Sequence, residues 1–331
     1  MRTNLAVLSI LCCLPIAVSA QSARQENTIN LPAGVSVEVY TGSATVSRAG
    51  NLVAAICSDH IVRVWSVRSG ELQRGLDNSN EPPSALQFSG NGRLLAVAYE
   101  IVTNENEKGA IKVFDIDSWK VLHVFADLAP MYSLAFSPDG RRLAGAGPFG
   151  VYAWDLPAQK KLATISPPFG GSNSLSFSAD GKRIATADGD AFVRVYDTST
   201  GSLHSTPRGF LLEPMAVVFS PDSKSVLAGG VDKSISIIDP ETGKVLRSLP
   251  KQPGLVMLLD VSADGKQTAV VYTSPENFFA VNHLRLWDLD KGAMLADFQK
   301  AGLVIQGGAF VGDHYLFVAS SANQLTLWSV R

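Results

Sequence analysis

Phe136-Ser137-Pro138-Asp139-Gly140 is the stretch on which the fold turns, because it returns along the chain in recognisable copies. These are Phe88-Ser89-Gly90-Asn91-Gly92, Phe177-Ser178-Ala179-Asp180-Gly181, Phe219-Ser220-Pro221-Asp222-Ser223 and Val261-Ser262-Ala263-Asp264-Gly265. Apolar residues alternate ahead of the turn, and Asp-Gly or Asn-Gly supplies the positive φ of a tight hairpin. A β-rich stretch follows, ending in an aromatic residue or Ile and usually then Asp. The endings are Trp65, Phe114, Trp154, Tyr196, Ile238, Trp287 and Trp328, at a mean spacing of about 44 residues, the length of four short strands per unit. One such sheet cannot cover both of its faces, so the units must stack around an axis and the ring must close.

The composition agrees. With 46% hydrophobic and 18% charged residues in 331, the chain is too apolar for disorder, and Gly 28 and Pro 17 spread along it favour many turns over a helical bundle. A formal charge of -2 gives no electrostatic drive toward nucleic acid or an anionic membrane, so no nucleic-acid partner is expected. The apolar run Leu5 to Ala17 is interrupted by Pro15 and too short to span a membrane. It is followed by Val18-Ser19-Ala20, which reads as a signal peptide over residues 1–20 and predicts export to a bacterial periplasm or the extracellular space. The absence of any Asn-x-Ser/Thr acceptor points the same way. Cys12 and Cys13 lie inside the run rather than after small residues, which disfavours lipidation, and their loss would leave Cys57 alone. Cys57 ends Leu52-Val53-Ala54-Ala55-Ile56 and reads as a buried small hydrophobe.

The repeated turn, the aromatic-Asp endings and the spacing together resemble the WD-repeat β-propeller family over essentially the whole chain after residue 20. The resemblance implies an all-β, seven-bladed β-propeller of four-stranded antiparallel blades. Arg331 comes directly after the third strand of the last unit, whereas Val35-Ser36-Val37-Glu38-Val39-Tyr40 is a spare alternating strand before the first. It is expected to close the ring as the missing fourth strand, with residues 21–34 as a linker and 35–331 as the propeller. The family's usual Gly-His ahead of each turn is missing. The Asp that His would meet survives as Asp59, Asp190 and Asp232, which either cap their turns on backbone amides or face solvent as an acidic ligand site. The same loops carry Met131-Tyr132, Phe169, Phe210-Leu211, Leu255 and Leu303, so the resemblance implies an apolar top face.

Motifs for chemistry are weak. Gly145-Ala146-Gly147-Pro148-Phe149-Gly150 has dinucleotide spacing, but a strand follows instead of a helix, so it reads as a hairpin turn. The five histidines include no H-x-H or H-E-x-x-H pair, and there is no G-x-S-x-G elbow or P-loop. No cofactor, metal or catalytic residue is assigned. Two units are longer than the rest through insertions at Glu100 to Gly109 and Thr273 to Asn282, between second and third strands. Long loops on a rigid scaffold are where binding tends to sit, so a protein partner is expected on the top face. The candidate contacts are Glu276, Phe278 and Phe279 in one insertion, Glu105 and Glu107 in the other, with Phe210 and Tyr132. The sequence thus points to a noncatalytic protein-interaction scaffold. The alternative is a propeller enzyme or small-molecule or metal binder using the central axis.

Overall fold

The structure, a computed structural model, describes residues 23–38, 43–77, 81–102, 107–168, 170–206, 210–274, 283–300, 302–312, 314–321 and 324–330. All the regular structure in these residues is strand. After β1 (Arg24–Asn30), blade 1 is β2 (Ala44–Val46), β3 (Leu52–Ile56), β4 (Val62–Ser66) and β5 (Leu72–Leu76). Blade 2 is β6 (Pro83–Phe88), β7 (Leu94–Val102), β8 (Glu107–Asp115) and β9 (Val121–Leu128). Blade 3 is β10 (Ser133–Phe136), β11 (Arg142–Gly147), β12 (Gly150–Asp155) and β13 (Lys160–Ile165). Blade 4 is β14 (Ser172–Phe177), β15 (Arg183–Asp188), β16 (Val193–Asp197) and β17 (Leu203–Ser205). Blade 5 is β18 (Pro214–Phe219), β19 (Val226–Gly230), β20 (Ile235–Ile238) and β21 (Val245–Leu249). Blade 6 is β22 (Val256–Val261), β23 (Gln267–Tyr272), β24 (His283–Asp288) and β25 (Ala293–Gln299). Blade 7 is β26 (Val304–Val311), β27 (His314–Ser321) and β28 (Gln324–Val330), with β1 as its outermost strand.

Each blade is an antiparallel meander, and the first strands pack on one another from β2 round to β26 and back, forming a ring about an axis. The expected seven-bladed β-propeller of four-stranded antiparallel blades, closed by an N-terminal strand, is therefore what forms. Its hydrophobic core is divided into seven clusters, one in each gap between neighbouring blades. The repeat in the sequence is the repeat of these gaps. Phe88 and Phe114 both enter the gap to blade 1, Phe177 and Tyr196 the gap to blade 3, and Val261 and Trp287 the gap to blade 5.

The recurrent turn has one hydrogen-bond pattern. Ser137 Oγ donates to Asp139 Oδ1 at 2.6 Å, that oxygen also accepts from the Arg141 amide at 3.0 Å, and the Arg142 amide donates to Ser137 Oγ at 2.9 Å. Gly140 supplies the required φ of 68°. The same serine-to-carboxylate bond recurs at Asp180, Asp222 and Asp264. The Gly145–Gly150 stretch is a hairpin between β11 and β12, as its following strand indicated.

The closing strand is not the one expected. Arg24–Asn30 pairs antiparallel with β28, with Thr28 opposite Thr326, so residues 24–30 are strand rather than linker. Val35 to Glu38 instead crosses onto blade 1, where Val37 bridges Cys57 and the Glu38 amide donates to Ile56 O; residues 39 and 40 lie outside the described residues. The reason is burial. An outermost strand meets solvent along most of its length, so β1 carries no apolar alternation, and only Ile29 within it is fully buried. The alternating Val35 and Val37 mark a segment laid over the core between blades 7 and 1.

Cys57 is a buried free thiol, and burial pushes its pKa up. Among the described residues no helix is long and apolar enough to cross a membrane. The N-terminal segment 1–20 read as a signal lies outside the described residues.

Candidate functional site

The turns between second and third strands share one end of the ring, the top, with the connections that enter each blade. There the entering chain is tied to the end of the second strand. The amides of Ser58, Glu100, Gly189, Val231 and Thr273 donate to the carbonyls of Ser36, Pro82, Gly171, Glu213 and Leu255, and Tyr132 N donates to Ala146 O, at 2.7 to 3.0 Å.

Just inside that anchor, five inner strands carry a bulge at the same place. The ladder slips between Pro83 and Ala85, Ser172 and Ser174, Pro214 and Ala216, Val256 and Leu258, and Ile305 and Gly307. A bulge leaves one residue unpaired and re-aims its side chain. Here those residues are Ser84, Asn173, Met215, Met257 and Gln306. The first four line a cavity of about 560 Å³ at the top of the axis, joined by Tyr132 from blade 3. Tyr132, Asn173, Met215 and Met257 also border the cavity of about 610 Å³ that runs down the inner strands to the Phe-Ser turns, so they form a waist between the two. Gln306 is buried instead, accepting from Ser43 Oγ at 2.7 Å and donating to Ser320 Oγ at 2.6 Å. Sequence reasoning picked out Tyr132 but not the rest. The signal was present, since each of these residues stands four before the first residue of its turn motif.

Three top-face aspartates are held in different ways. Asp232 caps its turn, accepting from the Ser234 amide at 3.0 Å and from Ser234 Oγ at 2.6 Å. Asp59 and Asp190 each face an arginine four residues on. Arg63 donates to both Asp59 oxygens at 2.7 and 2.6 Å, and Arg194 to both Asp190 oxygens at 2.8 and 2.7 Å. Arg194 also donates to Asp188, whose carboxylate is fully buried and accepts from Ser172 Oγ at 2.6 Å. The D-x-x-x-R spacing at 59–63 and 190–194 is the signal the sequence reading passed over; it sets an internal ion pair in place of an open acidic site, and at Asp59 the pair is added to the expected cap, since Oδ1 also accepts from the Ile61 amide at 3.4 Å. Among the described residues no three His, Cys, Asp or Glu side chains are grouped to hold a metal ion.

The apolar top resolves into two parts. Met131 and Leu303 are core, at 1% and 9% exposure, whereas Tyr132 is 54%, Phe149 68%, Leu211 83% and Leu212 52% exposed. Phe210 is partly buried against the core between blades 4 and 5. The turn that carries Phe149 packs closely on the chain entering blade 4: a Cβ on Gly171 would lie 2.1 Å from Gly147 O and 2.4 Å from Pro148 Cα. The blade-2 insertion is a lengthened hairpin, paired as far as Val102 opposite Glu107. Glu105, Glu276, Phe278, Phe279 and Phe169 lie outside the described residues, as does the side chain of Glu107.

A family model described as WD domain, G-beta repeat, matches residues 159–197 and 212–239. Sequence and fold together support a WD-repeat propeller. Autophagy-related protein 16 of Arabidopsis thaliana is 24% identical over 226 residues, 66% of this chain and 43% of that protein. Eukaryotic translation initiation factor 3 subunit I of Culex quinquefasciatus is 28% identical over 149 residues, 40% of this chain and 43% of that protein. Small ribosomal subunit protein RACK1y of Oryza sativa subsp. japonica is 27% identical over 148 residues, 43% of this chain and 42% of that protein. The chain thus spans under half the length of these relatives. A chain in the crystal structure of the Mitotic Checkpoint Complex superimposes on this seven-bladed propeller with a TM-score of 0.78 at 19% identity, covering 98% of this chain and 100% of that one, which shows the fold alone.

The relatives correct the expectation of export to a bacterial periplasm or the extracellular space. They are eukaryotic proteins named for autophagy, translation initiation and the small ribosomal subunit, which are activities of the cell interior. A short apolar run followed by small residues is a pattern of composition only, and it could not carry that assignment.

Proposed function

We propose that this WD-repeat propeller is a noncatalytic protein-interaction scaffold whose partner docks on the top face. The observation that carries the proposal is the gathering of Tyr132, Phe149, Leu211 and Leu212, all at least half exposed, on one end of a rigid ring. The other large exposed hydrophobics are spread over the outer strands of blades 1, 2, 4 and 5. Exposed aromatic and aliphatic side chains rimmed by polar groups are the usual anchors of protein interfaces. The relatives' names support the reading, since two of them are named as subunits of larger assemblies. The proposal gives Phe278 and Phe279 the role of further anchors, and Glu105, Glu107 and Glu276 that of an acidic rim that steers a basic partner.

Affinity capture from the cells of origin tests it, using the full chain and three variants. Leu211→Ser with Leu212→Ser, and Phe278→Ala with Phe279→Ala, should each lose the captured partner while keeping the melting temperature. Val124→Ser on the outer strand β9 should retain it. Capture that survives both top-face variants, or that fails with the outer-strand variant, would refute top-face docking.

A further inference from the structure

Each blade ends in an outer strand with one unpaired edge, because each sheet holds four strands in a row. An open edge invites another strand, and proteins ordinarily guard it with charge or a short length. Six blades follow that rule. β1 carries Arg24 and Glu26, β5 Arg74, β13 Lys160 and Lys161, β21 Arg247 and β25 Asp297, while β17 is three residues long. Blade 2 does not. Among the described residues its β9 is the longest outer strand, at eight residues, and it holds no lysine, arginine or proline.

The groups that titrate on β9 leave the edge neutral. Asp127 follows a slip in the ladder between Gly109 and Ile111 and meets Lys108 at 2.8 Å in the same hairpin. Burial pushes the His123 pKa down, so its ring is uncharged at pH 7. One face of the strand is covered by blade 3, where Phe125 stacks on Trp154 at 4.8 Å between ring centres with His123 beside it at 6.2 Å. Leu122 and Val124 alternate onto the other face, 46% and 57% exposed. Such an edge is complementary to itself. An antiparallel pair with its two-fold axis at His123 sets Leu122 and Val124 of one chain opposite Val124 and Leu122 of the next, four aliphatic side chains on one face with no like charges opposed. Pairing with β5, β13 or β21 would instead set a lysine or arginine against them.

We propose that β9 is a self-association edge, on which a second copy of this chain pairs antiparallel through its own β9 to join two blades into one eight-stranded sheet. Sedimentation velocity of the full chain should show monomer passing to dimer and no further, because two-fold pairing uses both edges up, with a dissociation constant on the order of 10 µM for so small an interface. Val124→Lys and Leu122→Lys, each restoring the guard that other outer strands have, should weaken the dimer at least about tenfold while keeping the melting temperature. Leu246→Lys, at an equally exposed site on β21, should leave it unchanged. Opposed residues of an antiparallel pair lie within disulfide reach, so His123→Cys in a chain also carrying Cys12→Ser and Cys13→Ser should link two chains on mild oxidation, and Leu246→Cys should not. A dimer that survives both lysine variants, growth beyond the dimer, or no link through His123→Cys would overturn the proposal. A chain that stays monomeric at about 200 µM would give the edge to a strand of another protein or to none, and would overturn it equally. The pairing is separate from top-face docking: Val124→Lys should still capture the top-face partner, and the Leu211→Ser, Leu212→Ser variant should still dimerise.

Discussion

Removing residues through Asn30 should open the ring even though Val35 to Tyr40 remain. The deletion takes away β1, whose six paired positions run from Arg24 opposite Ser329 to Asn30 opposite Gln324. Ile29 at 3% exposure is lost with it, and Leu31 at 9% loses the strand that holds it in place. Full burial of an aliphatic side chain is worth about 2 kcal/mol, so the two together contribute about 4 kcal/mol as an upper bound. The ladder hydrogen bonds return about 1 kcal/mol each, roughly cancelled by the cost of ordering each residue. The Asn27 side chain, which donates to Val67 O at 3.0 Å, ties the closing strand to blade 1 as well. For a chain of this size, about 4 kcal/mol corresponds to about 6 °C in melting temperature. The bare edge of β28, with Leu325, Leu327 and Trp328 behind it, should also drive concentration-dependent association. Thermal melts and sedimentation of chains starting at Gln21 and at Leu31 check both effects. Ile29→Ala in the full chain should give part of the loss, about 2 kcal/mol or more, without exposing an edge. Equal midpoints for the two chains, with the shorter one monomeric, would refute closure by β1.

Three further outcomes follow from the polar groups. Arg194→Met should cost about 3–5 kcal/mol in urea unfolding because it strands the buried Asp188, and adding Asp188→Asn should recover much of it; Arg63→Met, whose partner Asp59 is a third exposed, should cost far less. The Cys57 thiol should react only on unfolding. Because burial raises its folded pKa, its contribution to stability should be unchanged below pH about 8.5 and fall as pH rises above that, a slope that Cys57→Ala removes. Ser199, with the amides of Ser199 and Thr200, holds the Asp197 carboxyl at about 2, so its stabilisation is complete above pH about 4 and lost as pH falls toward 2. Acid titration of Asp197→Asn against the parent should show a shallower loss, and identical curves would remove Asp197 from the account.

The sequence by itself determined the blade count and the turn chemistry. Phe136-Ser137-Pro138-Asp139-Gly140 and Trp154-Asp155 interact within one blade or with its neighbour, so their spacing is written directly as period and residue type. The closing strand escaped that logic, because Arg24 to Asn30 is recognised by what it pairs with at the far end of the chain rather than by any alternation of its own. The axial mouth escaped it for a related reason. Ser84, Asn173, Met215 and Met257 have no side-chain chemistry in common, and they become one site only because a bulge at the same position in the inner strands of blades 2, 4, 5 and 6 turns each toward the axis.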